Sequence, residues 1–379
     1  MQVGDRIPMS GVTVLEEVFT PDATEELAIT HRINLEETLA PLAWSRDGKY
    51  LFSGIQGLKM YKIMSDDTLQ LMQHASSMPP IVAIKYANTS NHVLVLVKYT
   101  ETEQHYFLVY EHTGNEFTFL FSHYVDIPAT VTCISVSFYD AYIAIGTEVP
   151  GSSLASLLLY KWNRDYTFTF LDDAQIPSCR DVAFGNSSNY IAAVYDVGIG
   201  AGVALYTITE GGVLTRLDLY ALGLEVASMD PIGVGWSSDD YCIVVVARGT
   251  DAYTTYLITF SYDKNDGLTT ITIGHDQVHT QPDSASIVNG LVVTLHSTQP
   301  SMTLRCINEH HALVYLTDEL VDDFTFFAEG VAASPVGNYI AAAYATAGTN
   351  AGLFLVKRNG TTYATRISYR NNEYVLSTE

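Results

Sequence analysis

The side chains in this sequence that could do chemistry fall into a few groups, and the largest is acidic. Asp66-Asp67, Asp172-Asp173, Asp239-Asp240 and Asp322-Asp323 are paired carboxylates of the kind a hard cation such as calcium takes as oxygen ligands. None has the alternating Asp-x-Asp-x-Asp-Gly spacing that gathers several carboxylates into one loop, so turn and surface roles are expected for them. His310-His311 and the pair His275 and His279 have ring nitrogens suited to a metal. No Cys or Glu stands at ligand spacing beside them, so they read as exposed loop histidines. Ser and His are plentiful, but there is no Gly-x-Ser-x-Gly elbow and no local nucleophile-base grouping. Gly198-Ile199-Gly200-Ala201-Gly202 has the glycine spacing of a phosphate-cradling loop, yet it lies between two strand-like runs and opens no helix, so a flexible hairpin loop is expected. Cys133, Cys179, Cys242 and Cys306 are scattered without a Cys-x-x-Cys pair and read as reduced, mostly buried thiols. These patterns assign no catalytic residue, no cofactor or cofactor-binding residue and no metal ligand.

Composition limits the elements that could position such groups. Hydrophobic residues make up 47% of the 379-residue chain and charged residues 16%, which is enough apolar material for a large core. Tyr (25) and Phe (15) are abundant, and aromatic and β-branched side chains favour a pleated surface. Nineteen Lys and Arg against 42 Asp and Glu give a net charge of −23. A surface this acidic repels phosphate backbones, so no nucleic-acid partner is expected. No apolar run reaches the roughly 20 residues of a membrane-spanning helix, and MQVGDRIPMSG lacks a basic, apolar signal segment. A protein with no membrane span, not secreted by that route, is the expectation.

A repeat organises the chain. LAWSRDGKYLFSG from Leu42, VAFGNSSNYIAAVY from Val182, VGWSSDDYCIVVV from Val234 and VAASPVGNYIAAAY from Val331 each read as a short apolar strand, a polar turn and a second apolar strand. Aligned on the residue that opens the second strand, seven copies fall at Tyr50, His92, Tyr142, Tyr190, Tyr241, Leu291 and Tyr339, spaced by 42 to 51 residues. The remainder of each copy repeats too. Third strands such as LKMYKI from Leu58, SLLLYKW from Ser156 and GLFLVKR from Gly352 lead through turns such as Glu210-Gly211-Gly212 and Asn265-Asp266-Gly267. Fourth strands rich in Thr and aromatics follow, among them EFTFLF from Glu116 and YTFTFLD from Tyr166. Four antiparallel strands in a unit of about 48 residues, written seven times, predict an all-β, seven-bladed β-propeller.

The predicted propeller spans residues 40–369, with 370–379 a C-terminal tail. TYATRI from Thr362 is read as the fourth strand of blade seven, completing that blade without help from elsewhere. Residues 1–39 would then be an N-terminal arm or ring-closing segment, free to add an outer strand or to bind a neighbour. Within it Val12 to Phe19 and Leu27 to Ile33 read as strands, and Thr20-Pro21-Asp22 as a short helix start. Recurrence of Tyr at one position, as at Tyr50, Tyr142, Tyr190, Tyr241 and Tyr339, argues for packing, with the phenol reaching a polar partner at the blade edge.

Ser45-Arg46-Asp47-Gly48-Lys49-Tyr50 and Ser334-Pro335-Val336-Gly337-Asn338-Tyr339 resemble the Ser-Pro-Asp-Gly-x-Tyr turn of propellers distantly related to tryptophan-aspartate repeats, although no copy has the Trp-Asp dipeptide. A narrower resemblance is to propellers of tailed-bacteriophage virion proteins. It rests on Tyr160-Lys161 followed by Tyr166-Thr167-Phe168-Thr169-Phe170-Leu171, on Tyr110 with Phe117-Thr118-Phe119-Leu120, and on Tyr61-Lys62. That resemblance implies a non-enzymatic scaffold of the phage head or tail, made in the host cytoplasm and located in the virion. Its partners would be other proteins of that assembly, reached through residues 1–39 and the inter-strand loops, with a homo-oligomer possible. The alternative is a cytoplasmic propeller enzyme or small-ligand binder whose site, assembled from several blades at the central channel mouth, leaves no linear motif.

Overall fold

The computed structural model describes residues 26–35, 41–55, 57–127, 129–148, 157–176, 178–196, 201–222, 229–249, 254–276, 282–296, 302–307, 313–319, 326–346, 351–359, 366–370 and 373–377. Strand β1 (Glu26–Leu35) comes first. Blade one is β2 (Leu42–Trp44), β3 (Tyr50–Ser53), β4 (Leu58–Ile63) and β5 (Leu69–Ala75); blade two is β6 (Ile81–Tyr86), β7 (His92–Lys98), β8 (His105–Thr113) and β9 (Glu116–Val125). Blade three is β10 (Thr130–Val136), β11 (Tyr142–Glu148), β12 (Leu157–Trp162) and β13 (Phe168–Ala174); blade four is β14 (Cys179–Phe184), β15 (Tyr190–Asp196), β16 (Ala201–Ile208) and β17 (Leu214–Ala221). Blade five is β18 (Met229–Trp236), β19 (Cys242–Gly249), β20 (Thr255–Asp263) and β21 (Gly267–Asp276); blade six is β22 (Pro282–Val288), β23 (Leu291–His296), β24 (Met302–Ile307) and β25 (Leu313–Glu319). Blade seven contains β26 (Phe326–Ala333), β27 (Tyr339–Thr346) and β28 (Ala351–Asn359).

The polar turn between first and second strands sets the register of each blade. In blade one Ser45 Oγ accepts the Tyr50 amide at 2.9 Å and donates to Asp47, while Gly48 takes the left-handed φ of 67° and bonds back to the Ser45 carbonyl. Blade five repeats this with Ser237, Asp239 and a left-handed Asp240, but the amide that Ser237 Oγ accepts is that of Cys242. The residue equivalent to Tyr50 is therefore Cys242. Alignment on Tyr241 is one residue out of register, and Tyr241 is 49% exposed while Cys242 is fully buried.

Second strands read as unbroken apolar runs because both faces of each are covered. In β7 (HVLVLVK) every residue between the two ends is buried. Seven apolar clusters account for the covering, and each joins one pair of neighbouring blades, from blades one and two round to blades seven and one. No blade buries both faces alone, so the ring is the smallest unit that satisfies the sequence.

The fourth strands differ. In β5, β9, β13 and β17 one face is wet, and each fourth strand carries a bulge at the same step: Met72, Leu120, Leu171, Leu217, Ile271 and Leu316 are the extra residues in β5, β9, β13, β17, β21 and β25. Blade seven corrects the sequence reading. Its outer strand is β1, antiparallel to β28, and not TYATRI. The bulge recurs there at Thr30, opposite the same step of the third strand, and Leu27 is buried in the cluster between blades six and seven. Within the TYATRI segment Arg366 and Ile367 belong instead to a separate hairpin, β29 (Arg366–Arg370) with β30 (Glu373–Ser377). The expected strand at Leu27 to Ile33 is thus present, with a ring-closing place; Val12 to Phe19 and the helix start at Thr20 lie outside the described residues.

Candidate functional site

First strands touch one another in an unbroken cycle, β2 to β6, β10, β14, β18, β22, β26 and back to β2, and so surround the central channel. Their inward edges carry unpaired backbone groups, which the sequence satisfies from the blade next door. Ser135 Oγ accepts the Phe184 amide, Ser286 Oγ accepts the Ala333 amide, and Asp181 accepts the Val234 amide at 2.9 Å. Trp236 Nε1 donates to the Ala183 carbonyl and Trp44 Nε1 to the Ala332 carbonyl. Burial pushes the Asp181 carboxyl above its ordinary range, offset in part by the Val234 amide and by the positive charge of Lys85 on blade two.

At the end where chains enter the first strands, six of them carry a bulge at the same place, and its extra residues are Val82, Thr132, Arg180, Ile232, Asp283 and Glu329. This mouth has two unlike halves. On blades one, two, six and seven it is an open depression of about 380 Å³, lined mainly by Pro41, Leu42, Ile55, Ile81, Val82 and Val331. On blades three to five it is charged. Arg180 lies 3.4 Å from Glu148, 3.2 Å from Asp196 and 3.9 Å from Asp230, and Asp230 also pairs with Arg248. Burial works against the Arg180 charge, but the three carboxylates outweigh it and hold its pKa above the ordinary value. Each acid is engaged by a guanidinium, which leaves none poised as a general base.

These five residues were missed from the sequence, although a signal exists. With blade five in its correct register, the sixth residue after the second-strand opener is charged in four successive blades: Lys98, Glu148, Asp196 and Arg248. Apolar second strands that end in charge mark the channel mouth.

Groups singled out by sequence are placed elsewhere. Asp66 closes a local turn on Thr68, while Asp67 accepts the Tyr339 hydroxyl at 2.5 Å and Lys357 Nζ at 2.7 Å from blade seven. Asp172 accepts the Leu214 amide of blade four. Asp239 closes its own turn, and Asp240 accepts the amides of Asn186 and Ser187 from blade four. Among the described residues no three His, Cys, Asp or Glu side chains gather as a metal site. His275 lies in outer strand β21; His279, His310, His311, Asp322-Asp323 and Gly198 to Gly200 lie outside the described residues. Gly202 is not in a loop but in β16, opposite Tyr195, whose ring occupies the space a Cβ would need. The repeated tyrosines divide: Tyr50 is buried and donates to Asn115 of blade two, Tyr339 donates to Asp67, Tyr190 stacks on Trp236, and Tyr241 is exposed.

The fold is that of a seven-bladed β-propeller. No family model matches the chain, and no curated protein matches it. Among solved structures it is similar to Kuenenia stuttgartiensis hydrazine synthase, with a TM-score of 0.61 and 12% identity over 82% of this chain and 94% of that one. At that identity the likeness carries the propeller fold alone.

Proposed function

We propose that this chain is a non-enzymatic scaffold, a rigid ring that holds other proteins in a large assembly. On the resemblance of its repeats, that assembly is the particle or tail of a tailed bacteriophage, with the protein made in the host cytoplasm. The observation that carries the reading is the outer rim. Leu71, Phe119 and Phe170 stand one step before the bulge in three successive blades, opposite Tyr61, Tyr110 and Tyr160, and are 49%, 52% and 51% exposed. A ladder of large apolar side chains kept in water at one register suits a protein partner. The catalytically competent types support the same reading, because Asp67, Asp181, Asp240, Tyr50 and Tyr339 spend their hydrogen bonds joining blades. A net charge of −23 favours protein over nucleic acid as partner.

The test is mass spectrometry of intact particles together with a Leu71→Glu, Phe119→Glu, Phe170→Glu variant. The protein is expected in the particle and the folded variant excluded from it. A protein that stays monomeric at every concentration and is missing from particles sinks the reading. The apolar depression beside the Arg180 cluster favours a second reading, a small-ligand binder or enzyme at the channel mouth. Elemental analysis and native mass spectrometry of the purified protein separate the two: a stoichiometric ion or ligand supports the second.

A further inference from the structure

Two of the four cysteines face each other across a blade junction. Cys133 follows the bulge in β10 and Cys179 precedes the bulge in β14, so blade three presents one thiol and blade four the other. Both sulfurs crowd the place a Cβ would occupy at Gly146, the cross-strand partner of Cys133, and the absence of that Cβ is what admits them together. Thr132 Oγ1 ties the two strands by donating to the Cys179 carbonyl at 2.6 Å, and it also contacts Cys133 Sγ at 3.6 Å. Cys179 is fully buried, and its hydrogen bond with Cys133, together with burial, pushes its thiol well above the ordinary value. Cys133 is half-buried beside exposed Thr132 at the channel mouth, packed against the apolar cluster between blades three and four, and is the less buried of the two thiols.

We propose that Cys133 and Cys179 are a redox-sensitive pair that a small disulfide oxidant converts into a disulfide stapling blade three to blade four. The less buried partner reacts first: Cys133 sulfur, as thiolate, attacks oxidised glutathione, forms a mixed disulfide and releases one glutathione thiol. Cys179 sulfur, already against Cys133, then displaces the second glutathione. Two thiol protons pass by way of solvent to the two glutathione thiols, and the two electrons lost by the protein reduce the oxidant. The link ties together the two strands whose bulges carry Thr132 and Arg180, so oxidation stiffens the charged half of the mouth.

The full chain is incubated with oxidised glutathione, its remaining thiols are alkylated, and it is digested without reduction. The expected product joins the Cys133 and Cys179 peptides with two hydrogens fewer than their sum, and dithiothreitol separates them. Cys242, buried with its thiol pushed up to about 11, is expected to stay unmodified until the protein is unfolded. The oxidised protein is expected to melt at a higher temperature than the reduced one, a shift lost in Cys133→Ser. Glutathione retained on Cys133 with Cys179 still alkylatable, a link between other cysteines, or no reaction at Cys133 would each overturn the proposal.

Discussion

Asp140 holds the same post in blade three that Asp240 holds in blade five: a turn residue with a left-handed φ, 56° and 57°, whose carboxylate gathers the turn of the preceding blade. Asp140 accepts Asn88 N, Thr89 N, Thr89 Oγ1 and Ser90 N at 2.6 to 2.9 Å. Asp140→Ala removes the acceptor and keeps a Cβ at the same left-handed φ, so it isolates the tether; a loss of about 1–3 kcal/mol in urea unfolding is expected. Asp140→Gly should lose about 1 kcal/mol less, because it also relieves the backbone at that φ. An alanine variant as stable as the parent would show that the carboxylate ties nothing. His112 is the second telling residue. Its Nε2 lies 2.7 Å from the Gly114 carbonyl, which can only accept, so Nε2 carries the proton and Nδ1 accepts the Tyr86 hydroxyl at 3.0 Å. Burial lowers the pKa of His112, and likewise of His92 and His105, below the ordinary 6.5. Above pH 6.5 this costs nothing. As pH falls below it the unfolded chain takes up protons that the folded chain refuses, so stability declines through the depressed folded values. Unfolding in urea between pH 7 and pH 5 should show this slope, and an NMR titration should place His112 below 6.5.

At the scale of elements, the ring depends on β1. It supplies the outer strand of blade seven and buries Leu27 between blades six and seven, so Leu27→Ala is expected to cost about 2–4 kcal/mol. Deleting residues 1–35 should lower the thermal midpoint in a circular dichroism melt and expose the β28 edge, and a peptide of residues 26–35 should restore it. An unchanged midpoint would mean that the ring closes without β1. The bulge shared by all seven outer strands blunts edges that would otherwise template another sheet. Seven blades, their strand order and nearly every second-strand opener were legible, because strands buried on both faces leave continuous apolar runs. The closure was not. An outer strand buries one face only, so TYATRI and ELAITHRI satisfy it equally, and the choice rests on the Thr30 bulge and on Leu27 meeting the blade junction. The slip at Tyr241 has a related cause: Ser237 Oγ, not the aromatic ring, fixes where the strand opens.

For the whole molecule, the channel mouth was invisible in linear motifs because β11, β14, β15, β18 and β19, from three blades, each contribute one residue to the charged half. Those pairs are about one-third exposed, so they add little to stability. Arg180→Met is expected to shift the urea midpoint only slightly; a loss as large as that from Leu27→Ala would show that the mouth holds the ring together. The closure by β1 also has a consequence in time. Thr30 bonds to the Leu355 carbonyl across 325 positions of sequence. At a synthesis rate of roughly 5–20 residues per second, β1 waits about 20–60 s after its own synthesis for its partner. Through that interval six blades stand as an open arc with an apolar flank at each end. Birth of this protein is therefore its most aggregation-prone moment, with a gap that the finished ring no longer has.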